Sequence, residues 1–458
     1  MKKIRLKFLS LFLMLSIFVV YSCEDKTDDP KPDVDVEMYK IGSTEYHIND
    51  ENKIVTIRDF GDGVGNKTLS SDSTWILDGF VFVAEGQTLN IEPGTMIQGK
   101  PGQGENASAL IVMPNAKIIA EGTAELPIVF TGEGDTYDGQ QYMKEVQGLW
   151  GGIIILGNAT TNNSIRKRIE GVPEKFEAYY GGENDNDNSG ILKYVSIRHG
   201  GTDIGAGNEI NGLTLGAVGS STIFDYIEII SNVDDGVEFF GGAPQLKHII
   251  VAYCGDDSYD YDEGFHGKGQ FWVALQRDGA GDRLGEHDGG SGDDEEAKPY
   301  ATPIIANATY IGNGGKSIFF RDNAGGDYVN SIFVNAGGLN IEYRNDKHNS
   351  YDMLNENYLK IRNNIFSSIA EYPDGCINIK EEKGEKPANA EDFLIDVFNN
   401  NNNVINDIGI SIDNIIPNIN DVNGYVNIND TWFDDVNYQG AFNPNEANWA
   451  KGWTLTYK

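Results

Sequence analysis

One register constrains this chain more than any other feature. Ile227-Glu228-Ile229-Ile230 returns as Ile249-Ile250-Val251-Ala252 at a spacing of 22 residues, and Asp234-Asp235 returns as Asp256-Asp257 at the same spacing. A short β-rich run that recurs at a fixed offset marks a solenoid, because one coil cannot bury its apolar side alone and must stack on its neighbours. Comparable runs, each closed by Gly, Asn or Asp, occur at 80–83, 109–112, 152–156, 194–197 and 330–334. The 55 glycines and many asparagines favour a turn-dense, all-β chain, and no long stretch carries a helical apolar period. A coil of this length predicts a right-handed parallel β-helix with three sheets over about residues 41–430. A β-sandwich is the rival. It requires hairpins, whereas a constant offset between strands requires parallel stacking. Residues 160–188, 279–299, 346–359 and 380–403 read as excursions between coils, long enough to carry function. Residues 431–458 hold Trp432, Phe433, Tyr438, Phe442, Trp449 and Trp453. An open solenoid end exposes an apolar core and unpaired edge groups, so this segment is expected to cap it.

Several segments carry a family resemblance. They are Leu77-Asp78-Gly79-Phe80-Val81-Phe82-Val83, Thr88-Leu89-Asn90-Ile91-Glu92-Pro93-Gly94-Thr95 and the run from Gly148 through Trp150 to Gly157. Asp234-Asp235-Gly236-Val237-Glu238-Phe239-Phe240-Gly241-Gly242 and the run from Gly255 to Phe265 belong with them. From about Trp75 to Trp453 the chain resembles a group of Bacteroidetes extracellular β-helix proteins, many of them lipoproteins. The resemblance implies the fold and brings no established activity with it. Some relatives end in a type IX sorting domain, for which the segment up to Lys458 leaves no room.

The N-terminus agrees with export. Lys2, Lys3, Arg5 and Lys7 precede an apolar run from Phe8 to Val20, and Tyr21-Ser22-Cys23 follows. The run is shorter than the roughly 20 residues a spanning helix needs, so it reads as a secretory leader over residues 1–22. Val20, Ser22 and Cys23 resemble a bacterial lipobox, which implies acylation of Cys23. Residues 24–33 contain nothing apolar to bury, and residues 23–40 read as an acidic, flexible tether. Acidic residues directly after the cysteine resemble a surface-export signal. The protein is therefore expected at the outer membrane, facing outward and held only by its lipid.

The acidic residues carry the clearest chemistry. At the 22-residue spacing Asp234 falls on Asp256 and then Asp278. Glu238 falls on Asp260 and then Asp282, and Asp235 falls on Asp257. Equivalent positions in a parallel stack lie roughly 4.8 Å apart. Two carboxylates at that distance repel by about 3 kcal/mol at an effective dielectric near 20. A hard divalent cation with oxygen ligands compensates such a ladder, and Ca²⁺ accepts the geometry best. Asp234, Asp235, Glu238, Asp256, Asp257, Asp260 and Asp262 are the candidate ligands. Alternation places Asp256, Ser258, Asp260 and Asp262 on one face and Tyr259 and Tyr261 on the other, and the tyrosine face is the one fit for burial. The competing account is that Asp-Asp and Asp-Gly pairs simply make turns.

The formal net charge of −35 repels nucleic acid and anionic headgroups. Cys254 and Cys376 lie in strand-like contexts; a disulfide between them stays open, buried free thiols are the favoured reading, and no zinc spacing occurs. His199, His266 and the Glu286-His287-Asp288 run look chemical in isolation, but scattered histidines usually serve structure. Arg321-Asp322 and Glu342-Tyr343-Arg344 read either as ion pairs stacked on one sheet or as the lining of a glycan groove. Three functions stay open: a surface module binding a ligand, glycan or partner protein, with an outer-membrane transporter among the partners; a calcium-dependent polysaccharide lyase; and a structural adhesion protein. The lyase reading nominates Lys268 or Arg277 as base and Arg283 as substrate binder, by fold analogy alone.

Overall fold

A computed structural model describes residues 37–163, 166–205, 208–290, 292, 294–369 and 375–458. The leader, Cys23 and nearly all of the expected tether lie outside the described residues. The described residues form one compact unit.

The parallel register is present. Ile227 pairs with Ile249 in parallel, and the 22-residue spacing holds from Gln245 to Ala252. A coil contributes one short strand to a first sheet and a stretch that crosses two further sheets, as one long bent strand in four coils (Gly190–Arg198, Ile223–Ile230, Gln245–Ala252 and Lys268–Leu275) and as two short strands in others. The first sheet runs in chain order from Phe80–Val83 to Ile377–Lys383 and has ten strands. The long strands are bent by single residues in the left-handed conformation. Tyr194, Tyr226, His248 and Phe271 hold φ of 49°, 55°, 52° and 60°, and Asn307, Asn330 and Asn363 continue the column. Such a φ is strained for side chains other than Gly or Asn. Here the rings stack along the corner: Tyr194 on Tyr226 at 4.4 Å, Tyr226 on His248 at 4.2 Å and His248 on Phe271 at 4.8 Å. This corner divides each long strand into a second-sheet half and a third-sheet half, giving the three-sheet parallel β-helix.

The lumen is filled by the inward half of each alternation. Val237, Phe239, Tyr259, Tyr261, Trp272 and His287 are all buried. The tyrosine face of 256–263 points inward as expected. Cys254 and Cys376 are buried and unpaired. His287 also points in, stacks on Tyr261 at 3.9 Å and meets the Tyr328 hydroxyl at 2.6 Å. Burial holds its imidazole down to about 3, so it is neutral and structural.

Three expectations need correction. The segment Glu37–Ile41, assigned to the tether, is a strand paired antiparallel with Thr44–Asn49, which pairs antiparallel with Ile54–Arg58. This meander covers the first parallel edge, where Ile54 pairs with Thr74. The aromatic C-terminal segment does not close the end of the stack. From about Ile408 it runs as a strap along the outer side of the third sheet. There Ile410, Ile415, Tyr438, Phe442 and Leu455 pack on Ile230, Ile250, Val273 and Ile332. The core at the C-terminal end is instead covered by the helix Ala390–Asn400, whose Ala390, Leu394 and Phe398 join it. Finally, the 22-residue spacing fails at the third acidic coil. Asp260 pairs with Glu286, because residues 277–282 insert extra chain. Asp278 leaves the ladder, and the Asp282 backbone instead donates to the Asp256 carbonyl.

Candidate cation-binding face

The outer face of the first sheet changes character along the stack. At its start it is apolar: Phe80, Phe82, Ala109, Ile111, Ile154 and Leu156 point outward. The excursion after Leu156 folds over them, burying Ile169, Val172, Ala178 and Tyr180. Asp262 and Glu263 follow three coils further on, and this roof is fastened beside them. Lys167 reaches the Glu263 carboxylate at 2.7 Å, and the Tyr180 hydroxyl donates to the same group at 2.7 Å.

Beyond the roof the outward positions become acidic. Glu238 sits directly beside Asp260 on adjacent strands. Asp234 and Asp235 lie in the turn before one strand, and Asp256 and Asp257 lie in the turn before the next. Three sets of carboxylates have ligand atoms within 4.8 Å of one another: Asp234, Asp235 and Asp256; Asp235, Glu238 and Asp260; and Asp256, Asp257 and Asp282. Two oxygens that share one Ca²⁺ lie no further apart than about twice the Ca–O distance of roughly 2.4 Å, so the spacing fits. Asp235 and Asp256 link the sets into one continuous cluster.

Turn chemistry explains part of this arrangement. One Asp235 oxygen accepts the Asp257 backbone N–H at 2.8 Å, and one Asp257 oxygen accepts the Arg283 N–H at 2.5 Å. Each aspartate thereby caps the equivalent residue one coil on. That role does not extend to Asp260, whose Oδ1 is buried and has no hydrogen-bond partner. Buried carboxylate oxygens without a partner are costly, and a ligand is one of the few things that relieves them.

The electrostatics agree. Burial, and then Asp256, pushes Asp234 up to about 7. Burial and neighbouring carboxylates hold Asp235, Glu238, Asp257 and Asp260 well above the ordinary range. Burial and then Asp282 raise Asp256. Among the described residues, none of Asp234, Asp235, Glu238, Asp256, Asp257 and Asp260 forms an ion pair. The next rungs are treated differently. Arg283 bridges Asp282 and Glu286 at 2.5 and 2.6 Å, Lys316 reaches Asp282 at 2.6 Å, and Arg321 holds Glu286 and Asp288 at 2.5 and 2.6 Å. The fold thus pairs Asp282, at the edge of the cluster, and the later acids with its own cations, and leaves the other six carboxylates of the cluster without an ion pair.

Of the seven nominated ligands, six fall in the cluster. Asp262 does not: it accepts the Glu263 N–H at 2.5 Å, and burial pushes it up to about 6. Sequence reasoning missed Asn211, which donates to Glu238 from a preceding turn, and Glu170, which the roof carries into the field of Glu263 and Glu209. Glu170 comes from the excursion outside the repeat, so no periodicity marks it; Asn211 holds the turn position that Asp235 holds one coil on, but the offset between Leu213 and Val237 is 24 residues and not 22. The lyase candidates fare less well. Lys268 is on the second sheet and bonded to Asp430 at 2.6 Å. Arg277 lies in the turn after the strand Lys268–Leu275, and Arg283 is engaged by two carboxylates. Arg344 pairs with Asp322, Glu342 and Glu295, the structural role expected for such stacked charges. His199 is buried and bonded through Nδ1 to the Val146 carbonyl at 2.6 Å, and His266 meets Asp185 at 3.3 Å.

No curated protein and no solved structure matches the chain. A family model described as a pectate-lyase-like β-helix domain matches residues 61–454. That match spans most of the molecule, and the chain belongs to this family of β-helix domains.

Proposed function

We propose that this chain is a surface lipoprotein whose elongated β-helix binds a glycan or protein partner, with Ca²⁺ seated among Asp234, Asp235, Glu238, Asp256, Asp257 and Asp260. The carrying observation is the contrast along one sheet face. Glu286 and Asp288 have arginine partners, whereas the carboxylates one and two coils earlier have none and include a buried, unpartnered oxygen. A bound divalent cation supplies the missing charge and, with open coordination positions, a point of attachment for hydroxyl or carboxylate oxygens of a ligand. An outer-membrane transporter is a natural partner for such a protein; nucleic acid is not, given the net charge of −35.

The family description keeps a second reading alive, a calcium-dependent lyase on acidic polysaccharide. Lys167, Arg283 and Arg321 border the acidic face, and each is held by carboxylates, which favours binding over proton abstraction. Incubation with polygalacturonate and Ca²⁺ is expected to give no unsaturated product by ultraviolet absorbance. Steady accumulation of that product, abolished by Asp260→Asn, would establish the enzyme instead.

Anchoring has its own test. Cys23→Ala is expected to move the protein from the membrane to the soluble fraction, or to block its maturation. A variant that is processed and fractionates like the parent would rule out the lipid anchor.

A further inference from the structure

A second recess lies away from the acidic face. The strap, Tyr253 and Lys144 line an open recess of about 630 Å³. Three ammonium side chains, Lys144, Lys451 and Lys458, line it together with the rings of Tyr253 and Tyr457. Asp413 is the carboxylate side chain among them. In a chain with a net charge of −35, cations are scarce, and most that border carboxylates are paired with them. Among the described residues none of these three lysines forms an ion pair. Lys144 donates to the Thr456 carbonyl at 3.0 Å and Lys458 to the Asp138 carbonyl at 2.5 Å, so neither ammonium is bonded to a carboxylate. Lys451 is exposed. The Tyr457 hydroxyl is buried and has no hydrogen-bond partner.

These features meet the needs of one ligand class. Ammonium groups favour an anion, aromatic faces stack against a sugar ring, and a buried hydroxyl lacking a partner accepts or donates one more bond. We infer that this recess binds an acidic saccharide, its carboxylate against the lysines and its ring beside Tyr253 and Tyr457. The site is separate from the acidic face of the first sheet and stands whether or not that face takes a cation.

The test is calorimetric titration of the full mature chain with galacturonate, with galactose and with sodium sulfate. Galacturonate is expected to bind and galactose not. Lys451→Glu reverses an exposed charge without disturbing the strap and is expected to weaken galacturonate roughly tenfold or more. Tyr457→Phe is expected to weaken it by a smaller factor of roughly fivefold. Binding of sulfate as tightly as galacturonate, with no effect of Tyr457→Phe, would reduce the recess to a bare anion site and overturn the saccharide assignment. Failure of galacturonate to bind, or equal binding by Lys451→Glu, would overturn the site itself. An unchanged melting temperature in Lys451→Glu certifies that a lost signal is lost binding.

Discussion

Removing divalent cations will lower the melting temperature of the protein, and returning Ca²⁺ will restore it. A cation seated in the acidic cluster would bind the folded coils and find no assembled site in the unfolded chain. At a hundredfold excess over its Kd it adds about 2.7 kcal/mol to stability. Asp256→Asn combined with Asp260→Asn is the decisive variant. Asp256 belongs to two of the three carboxylate sets and Asp260 to the remaining one, so the pair of changes touches all of them. The turn bonds are made by Asp235 and Asp257 and are left intact. Two opposite effects follow. In Ca²⁺ the variant melts below the parent because ligands are lost. In chelator it melts above the parent because like charges have been removed from a buried cluster. A parent protein whose melting temperature ignores chelator would leave the acidic face without a structural cation.

The same cluster sets a pH dependence with a definite sign. In the cation-free fold Asp234 rests near 7, against about 4 in an unfolded chain. Between those values the folded protein holds more protons than the unfolded one. The contribution of this group to stability is therefore full below about pH 4 and is lost as pH rises through about 7. Cations compete with protons for the same oxygens, so the stabilisation by Ca²⁺ grows over that window. Thermal melts at a series of pH values, with chelator and with Ca²⁺, are expected to diverge upward in pH. Parallel curves would show that these carboxylates do not meet the metal.

The repeat was legible because packing enforces it. Ile227 and Ile249 must occupy the same place in successive coils, and a one-residue slip turns every apolar side chain outward. The pairing of Glu238 with Asp260 came from that register without further information. The register broke at Asp278 and Asp282 because an outward turn can lengthen without disturbing the core, and no apolar position records the insertion. Glu170 was invisible because it reaches the site from a roof that has no counterpart in other coils, and Asn211 because it stands 24 residues, not 22, before its equivalent Asp235. The strap was misplaced because its aromatic residues announce burial without saying against what. Trp449 and Phe442 fit an end cap as well as a flank, and the choice was made by Ala390, Leu394 and Phe398, which took the end first.

The strap offers the largest single-residue effect expected in the molecule. Glu228 points outward from the third sheet and is fully buried beneath the strap. Its carboxylate accepts the Leu455 N–H at 2.8 Å, the Thr456 N–H and hydroxyl at 2.7 Å each, and the Ser196 hydroxyl at 2.5 Å. Arg198, also buried, donates to the same Ser196 oxygen at 2.7 Å. Glu228→Ala would strand two backbone amides and leave the Arg198 charge without its nearby counter-ion. Breaking one side of a buried charged network costs about 3–5 kcal/mol. The core coils do not depend on this contact, so the loss should fall on the strap. Hydrogen exchange is expected to show residues 441–458 opening while Ile227 and Ile249 stay protected. Glu228→Gln keeps an acceptor oxygen but removes the charge opposite Arg198, and should open the strap less. Protection of the C-terminal amides equal to the parent in Glu228→Ala would mean that the apolar contacts of Phe442 and Leu455 suffice to hold the strap, and that the carboxylate clasp contributes little.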